Sequence, residues 1–228
     1  MPNYAITPPP VVALPIAGSD ALFPVRRVYC IGRNYAAHAI EMGHDPDREP
    51  PFFFQKNPDN LTTGNTFPYP ARTSDVHHEI EMVVALKSGG TNIPLEQALD
   101  HVWGYGLGLD MTRRDLQGRA KEMGRPWEIG KAFEDSGPVS ALRPVADVGH
   151  PAAGLVQLKL NGKPRQTGDL NQMIWKVPEI ISYLSDFFEL AAGDVIMTGT
   201  PSGVGSVVRG DVMECHVEGV GDLTITVV

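Results

Sequence analysis

The stretch His77-His78-Glu79-Ile80-Glu81-Met82-Val83-Val84-Ala85-Leu86 joins two acidic side chains to a run of apolar ones. Polar and apolar residues alternate at its start, and the run then becomes continuously apolar, which is typical of a strand that enters a hydrophobic core. Residues two apart in a strand face the same side, so Glu79 and Glu81 would present two carboxylates about 7 Å apart at their Cα atoms. The stretch predicts a central β-strand that carries a pair of acids.

Two like charges beside an apolar run repel each other and are costly to remove from water. A divalent cation would remove this conflict, and oxygen-only ligation favours Mg²⁺, Mn²⁺ or Ca²⁺ over Zn²⁺. The alternative is a solvated strand edge whose inner face is Ile80, Met82 and Val84. The Glu-x-Glu pattern alone does not decide between the two, because it is common in strands.

A third acid, Asp110, follows a Gly-rich predicted strand at residues 103–109. Glycines along a strand let another backbone or a ligand approach closely. An acid at the end of such a strand is well placed to be a third carboxylate ligand. Asp110 could instead be only the N-cap of the helix that the composition of residues 111–124 predicts.

His38 and Glu41 lie three residues apart on a short helix predicted over residues 34–43, so they share one face of it. A carboxylate bonded to one imidazole nitrogen makes the other nitrogen a better base for activating water. The alternative is an exposed pair of little energetic value.

Two further segments carry groups that suit anionic ligands. Lys131 lies in mostly apolar surroundings, where it is either an electrophilic donor to a developing enolate or a snorkelling surface residue. Residues 197–205 are rich in turn formers, whose backbone amides and hydroxyls could bind an anion. They are not a Walker phosphate loop, because no Gly-Lys-Ser/Thr follows.

Composition limits the fold and the partners. With 24 Gly and 20 Pro among 228 residues, a helical bundle is disfavoured and an α+β fold that is mainly β is favoured. A formal charge of −8 argues against a nucleic-acid binder. No apolar run approaches the roughly 20 residues that span a bilayer, so the sequence predicts a cytoplasmic protein without a membrane partner. Cys30 and Cys215 are predicted to be buried free thiols.

The chain divides into an arm and a domain. Residues 1–24 are rich in proline and predict an extended N-terminal arm. Residues 25–228 predict a single catalytic domain, in which the clearest helix covers residues 178–189, because apolar residues recur there at three and four positions.

Five segments, taken in this order, resemble the fumarylacetoacetate hydrolase superfamily. They are Gly32-Arg33-Asn34-Tyr35-Ala36-Ala37-His38 with Glu41, and residues 78–81, 110–117, 130–133 and 198–205. Each segment alone is weak evidence, but their joint occurrence is specific. Residues 23–30 and 123–131 look like the bacterial fumarylpyruvate hydrolases of gentisate degradation. One departure is Gln55-Lys56-Asn57-Pro58, where the family more often has Lys followed directly by Pro.

The resemblance implies a mixed β-roll or β-sandwich with short peripheral helices, a homodimer, and a lid that carries His38 and Glu41. It also implies one Mg²⁺ or Mn²⁺ per subunit, held by Glu79, Glu81 and Asp110. The residues it places in the pocket wall are Arg114, Gln117, Lys131 and Thr200. Charge complementarity alone suggests Arg33 or Arg125 for the far carboxylate of a substrate.

The implied reaction is the metal-dependent hydrolysis of a carbon–carbon bond in a diketo acid, with fumarylpyruvate giving fumarate and pyruvate. A hard cation would chelate the keto acid, and His38, oriented by Glu41, would deprotonate the attacking water. The metal and Lys131 would then stabilise pyruvate leaving as its enolate. The alternatives are another acylpyruvate hydrolase, an oxaloacetate decarboxylase, an isomerase of a related acid, or a metal-binding module without turnover.

Overall fold

Strands dominate the secondary structure, as the composition predicts. The structure, a computed structural model, describes residues 3–35 and 50–228. Its strands are β1 (Ala13–Ile16), β2 (Ser19–Pro24), β3 (Arg27–Gly32), β4 (Phe52–Lys56), β5 (Leu61–Thr62), β6 (Thr66–Phe67), β7 (Val76–His78), β8 (Ile80–Leu86), β9 (Val102–Leu109), β10 (Thr112–Arg113), β11 (Gly137–Pro138), β12 (Arg143–Pro144), β13 (Leu155–Leu160), β14 (Lys163–Asp169), β15 (Asp194–Met197), β16 (Gly205–Val207), β17 (Val212–Val217) and β18 (Gly221–Val227).

The helices are short. The α-helices are α1 (Arg114–Glu122), α2 (Glu128–Lys131), α3 (Val145–Val148) and α4 (Val177–Phe187), and 3₁₀ turns cover Pro58–Asn60, Leu95–His101 and Leu170–Gln172. Within the described ranges, no helix is both long enough and apolar enough to cross a bilayer. The helix predicted over residues 34–43 lies largely outside the described residues.

A six-stranded sheet forms the centre of the fold, in the order β12-β9-β8-β15-β3-β4. Neighbouring strands are antiparallel except β15 and β3, which are parallel. Every residue of β8 is buried. The apolar run in the sequence therefore corresponds to a strand that is covered on both faces. A Cβ on Gly104 in β9 would lie 2.2 Å from the carbonyl oxygen of Arg143, which explains why glycine is needed where β12 crosses so closely.

Different elements cover the two faces of this sheet. On one face Ile80, Met82 and Val84 pack with a five-stranded sheet, ordered β14-β13-β17-β18-β6, and with α4. On the other face Val83 and Ala85 belong to a smaller apolar cluster with residues from β1, β2 and β3. The alternation of side chains along β8 therefore divides the core into two layers.

Helix α4 closes the larger layer and agrees with the helix predicted over residues 178–189. Its start is fixed by Pro178 in the first turn and by Glu179, whose carboxylate accepts a bond from the Lys176 amide at 2.8 Å. The apolar side chains that recur along it include Ile180, Ile181 and Leu184, which are buried in the core.

The N-terminal segment differs from the predicted extended arm over residues 1–24. Residues 13–24 form a hairpin of β1 and β2, and Leu14 and Phe23 are buried in the smaller apolar cluster. β1 also bonds on its other side, and Pro15 fits there because it contributes only its carbonyl, which accepts from the Leu142 amide at 2.8 Å. The hairpin therefore packs on the domain predicted to begin at residue 25.

Candidate active site

Three buried carboxylates meet at one end of β8 and β9. Glu79 lies at the break between β7 and β8, Glu81 lies in β8, and Asp110 directly follows β9. One oxygen of each lies within 4.8 Å of the others. The neighbouring strands bring them together, because Ile80 pairs with Leu109 and the Asp110 amide donates to the Glu79 carbonyl at 2.9 Å.

Both alternatives for these acids are wrong. Glu79 and Glu81 are 6% and 2% exposed, so they do not lie on a solvated strand edge. At a solvated edge, the face of β8 opposite Ile80, Met82 and Val84 would be open to water. The smaller apolar cluster covers that face instead. Asp110 is not a helix cap, since α1 begins later, with Arg113 at its N-cap position.

Three cationic side chains contact this acidic cluster. Lys131 Nζ donates to Glu79 Oε2 at 2.8 Å and to Asp110 Oδ2 at 2.6 Å. Lys56 Nζ lies 2.9 Å from Asp110 Oδ1, and Arg114 forms an ion pair with Glu79. Burial alone would lower the pKa of Lys131, but the charges of Asp110 and Glu79 outweigh it and the pKa is raised. Lys131 is therefore a buried, charged donor and not a snorkelling surface residue.

Glu81 has a different environment from the other two acids. Its Oε2 accepts a hydrogen bond from the Gly199 amide at 2.8 Å. Burial, reinforced by the charges of Asp110 and Glu79, raises the pKa of Glu81 well above its ordinary value. The three buried carboxylates repel each other and offer only oxygen ligands, and both properties suit a hard divalent cation.

The predicted anion-binding turn at residues 197–205 contacts this acidic cluster. Gly199 has φ +94°, and a Cβ there would lie 2.7 Å from Asn34 Cβ, so glycine lets the turn approach the loop after β3. Its amide binds the carboxylate of Glu81, an anion of the chain itself. The Thr200 hydroxyl donates to the Ile80 carbonyl at 2.7 Å and accepts from Gln166 Nε2 at 2.7 Å.

The three carboxylates line a pocket, and helix α1 presents one polar face to it. Arg114, Gln117 and Lys121 are spaced by three and four residues and therefore share that face. Arg114 Nη1 donates to Gln117 Oε1 at 2.7 Å, and Arg114 Nε donates to His77 Nδ1 at 3.3 Å. These contacts hold the Arg114 guanidinium against Glu79.

The pocket brings together most of the predicted site residues. Those in its wall are Arg33, Glu79, Glu81, Asp110, Arg114, Gln117, Lys131 and Thr200. Arg125, the alternative to Arg33, lines separate surface depressions. His38 and Glu41 lie outside the described residues, so their roles stay predictions.

Sequence reasoning assigned no role to two cations of this site. Lys56 is buried and bonds Ser136 Oγ at 3.0 Å besides its ion pair with Asp110. The sequence marks Lys56 only as part of a departure from the family pattern, and its contacts could not be predicted because its partners come from distant segments. Lys121 could have been found, since it continues the spacing of Arg114 and Gln117 along α1.

Comparison with known proteins identifies the family. The family model described as fumarylacetoacetate (FAA) hydrolase, C-terminal, matches residues 27–228. The crystal structure of fumarylpyruvate hydrolase from Pseudomonas aeruginosa in complex with Mn²⁺ and pyruvate is 55% identical, has a TM-score of 0.97, and is matched over 99% of both chains.

Two curated relatives have different activities. A fumarylpyruvate hydrolase of Ralstonia sp is 42% identical over 82% of this chain and 98% of its own. The mitochondrial oxaloacetate tautomerase of Rattus norvegicus is 42% identical over 86% of this chain and 88% of its own.

These matches confirm the predicted mainly β, α+β fold of the fumarylacetoacetate hydrolase type. They also confirm the predicted enzyme class, a hydrolase of carbon–carbon bonds. The chain belongs to the fumarylacetoacetate hydrolase family.

Proposed function

We propose that this protein hydrolyses fumarylpyruvate to fumarate and pyruvate, with one Mg²⁺ or Mn²⁺ per subunit held by Glu79, Glu81 and Asp110. The observation that carries the proposal is the buried carboxylate cluster in a pocket whose wall also holds Arg33, Arg114, Lys121 and Lys131. The relative from Pseudomonas aeruginosa, which binds Mn²⁺ and pyruvate, supports the choice of metal and of product.

Charge in the pocket agrees with an acidic substrate. Lys56, Lys131 and Arg114 offset the three carboxylates in number. A bound divalent cation would then leave the cluster with a surplus of two positive charges. Arg33 and Lys121 in the same wall add further positive charge, so the pocket suits a substrate such as fumarylpyruvate, which carries two carboxylates.

The side chains divide the reaction between them. A bound divalent cation would act as a Lewis acid that polarises the keto acid. His38, oriented by Glu41, takes a proton from the water that attacks the carbonyl carbon of the acyl group. The bond between that carbon and the methylene carbon of the pyruvate half then breaks, the acyl group leaves as fumarate, and the electron pair passes to the pyruvate half as its enolate. The enolate becomes pyruvate when this carbon takes the proton from His38. Lys131 Nζ, held between Glu79 and Asp110, donates a hydrogen bond to the enolate oxygen.

Removing the metal tests this proposal directly. Protein treated with a chelator is expected to leave the diketo-acid absorbance of fumarylpyruvate unchanged, and added Mg²⁺ or Mn²⁺ is expected to restore its loss, with fumarate and pyruvate formed in equal amounts. Turnover that the chelator does not affect, or no turnover with either metal, would refute the proposed function.

Replacing His38 by alanine separates the base from the metal site. We expect kcat to fall by about a hundredfold, the usual contribution of a general base, while Mn²⁺ affinity measured by calorimetry stays within about twofold. Asn171→Ala on the exposed surface is the control. Full activity of the His38→Ala protein would exclude His38 as the base.

A second candidate function follows from the oxaloacetate tautomerase relative. Enolisation or decarboxylation of oxaloacetate also forms a pyruvate-type enolate but requires no attacking water. Oxaloacetate assayed under the same conditions distinguishes the candidates, because only decarboxylation releases carbon dioxide and only tautomerisation leaves the carbon skeleton intact.

The cytoplasmic location and the homodimer stay predictions, and the molecular mass in solution tests the dimer.

A further inference from the structure

Two cations of the pocket lie away from the carboxylate cluster. Arg33 and Lys121 are partly exposed, whereas Glu79, Glu81, Asp110 and Lys131 are buried. The carboxylates therefore mark the closed end of the pocket, and Arg33 and Lys121 lie nearer to solvent. Within residues 3–35 and 50–228, no carboxylate forms an ion pair with either cation.

An aromatic pair links these two cations. Arg33 Cζ lies 5.7 Å from the ring centroid of Phe52, and Lys121 Nζ lies 4.9 Å from that of Trp127. The two rings pack edge to face with centroids 4.9 Å apart. Both cations therefore line the pocket and lie against aromatic rings, which suits a flat unsaturated chain that ends in a carboxylate.

Backbone structure fixes the positions from which both cationic side chains extend. Arg33 has φ +57°, a conformation that residues other than glycine rarely adopt. The next residue fixes this turn, because Asn34 Nδ2 donates to the carbonyls of Trp175 at 2.9 Å and Thr198 at 2.8 Å. Lys121 is held on α1, on the face that also carries Arg114 and Gln117.

The electrostatic environment of Lys121 also favours an incoming anion. Burial, together with the positive charges of Arg114 and Arg33, lowers the pKa of Lys121 to about 8. Positive groups that are crowded without a carboxylate partner in the described chain gain stability when an anion binds.

We propose that Lys121 and Arg33 form a subsite for the carboxylate at the far end of the acyl group, so that the enzyme prefers acylpyruvates whose acyl chain ends in a carboxylate. This inference rests on the proposed hydrolase function and adds a determinant of substrate choice to it. The closed end of the pocket would bind the pyruvate half, and the cations nearer to solvent would bind the other end of the molecule.

A matched pair of substrates tests the subsite. Crotonylpyruvate has the carbon chain of fumarylpyruvate with a methyl group in place of the far carboxylate. The measured quantity is the ratio of kcat/KM for fumarylpyruvate to kcat/KM for crotonylpyruvate. We expect Lys121→Met and Arg33→Met each to lower this ratio at least about tenfold, mainly through KM for fumarylpyruvate, because each removes one charged hydrogen bond.

Two further variants and the wild type make the outcome decisive. Lys121→Arg is expected to keep the ratio within about threefold, and Arg125→Met, which removes a nearby cation outside the pocket, within about twofold. Equal losses on both substrates in Lys121→Met, or the same fall in Arg125→Met, would overturn the subsite alone. A wild type that hydrolyses neither substrate would instead overturn the proposed function. Melting temperatures show whether each variant is folded.

Discussion

The Glu81→Gln protein is expected to lose at least about a thousandfold in kcat/KM for fumarylpyruvate, and yet to melt at a higher temperature than the wild type when both are free of metal. Gln retains the shape of Glu81 and one oxygen that can accept the Gly199 amide. It lacks the negative charge that a divalent cation requires, so metal binding and turnover are lost together.

The gain in stability follows from the raised pKa of Glu81. The folded protein retains a proton that the unfolded chain releases above the ordinary value of 4.5. The free energy of unfolding of the metal-free wild type therefore falls as pH rises from about 4.5 toward the folded pKa, and glutamine carries no such penalty. We expect the difference in melting temperature to be at least about 2 °C at neutral pH and to widen as pH rises through that window.

Scanning calorimetry in a chelator at several pH values measures this difference. Glu96→Gln, on an exposed glutamate of the Leu95–His101 turn, is the matched control and should show neither effect. A Glu81→Gln protein that melts below the wild type at every pH, or that keeps metal-dependent turnover, would contradict the description of Glu81 as a strained ligand.

Replacing Lys131 by methionine is expected to lower kcat for fumarylpyruvate by about a hundredfold or more, with a smaller change in KM. The Nζ hydrogen bond to the leaving enolate forms as negative charge develops, so its loss raises the barrier more than it weakens binding. The change also removes the donor that Glu79 and Asp110 share, although Arg114 and Lys56 stay as their partners, and this costs up to about 3–5 kcal/mol in the metal-free protein.

Metal should recover part of that stability, because a divalent cation supplies positive charge to the same two carboxylates. The measurements are steady-state kinetics with saturating Mn²⁺ and denaturant unfolding with and without the metal. Lys87→Met, on an exposed lysine, is the control, and Lys131→Gln serves if the methionine variant does not fold. A folded variant with kcat within about threefold of the wild type would show that Lys131 is structural only.

The sequence predicts that the three acids cluster, because they come from a local pair of strands. Glu79, Glu81 and Asp110 belong to β8, β9 and the residues beside them, which are adjacent in the chain and in the sheet. Strand periodicity and the glycines before Asp110 indicate that the three acids can meet, and the family resemblance is what implies that they do. The break in pairing at Glu79 was not predicted, because a single residue between two strands leaves no signal in composition.

The remainder of the site depends on contacts between distant segments. Lys56 reaches Asp110 from the edge strand β4, and the Gly199 amide reaches Glu81 from the turn after β15. No spacing rule relates these positions, and the prolines that predicted an extended arm are equally compatible with the hairpin at residues 13–24. Arg125 looked equivalent to Arg33 because charge alone does not say which side of a loop a guanidinium occupies.

The position of β15 between β8 and β3 determines when the central sheet can fold during synthesis. A nascent chain that has left the ribosome only as far as residue 190 lacks the strand that joins the two halves of the central sheet. The edges of β3 and β8 would then be unpaired and open to contact with other chains. Folding of the catalytic centre is therefore expected to follow synthesis of β15, at a rate limited by the pairing of β15 with strands that are distant in the chain.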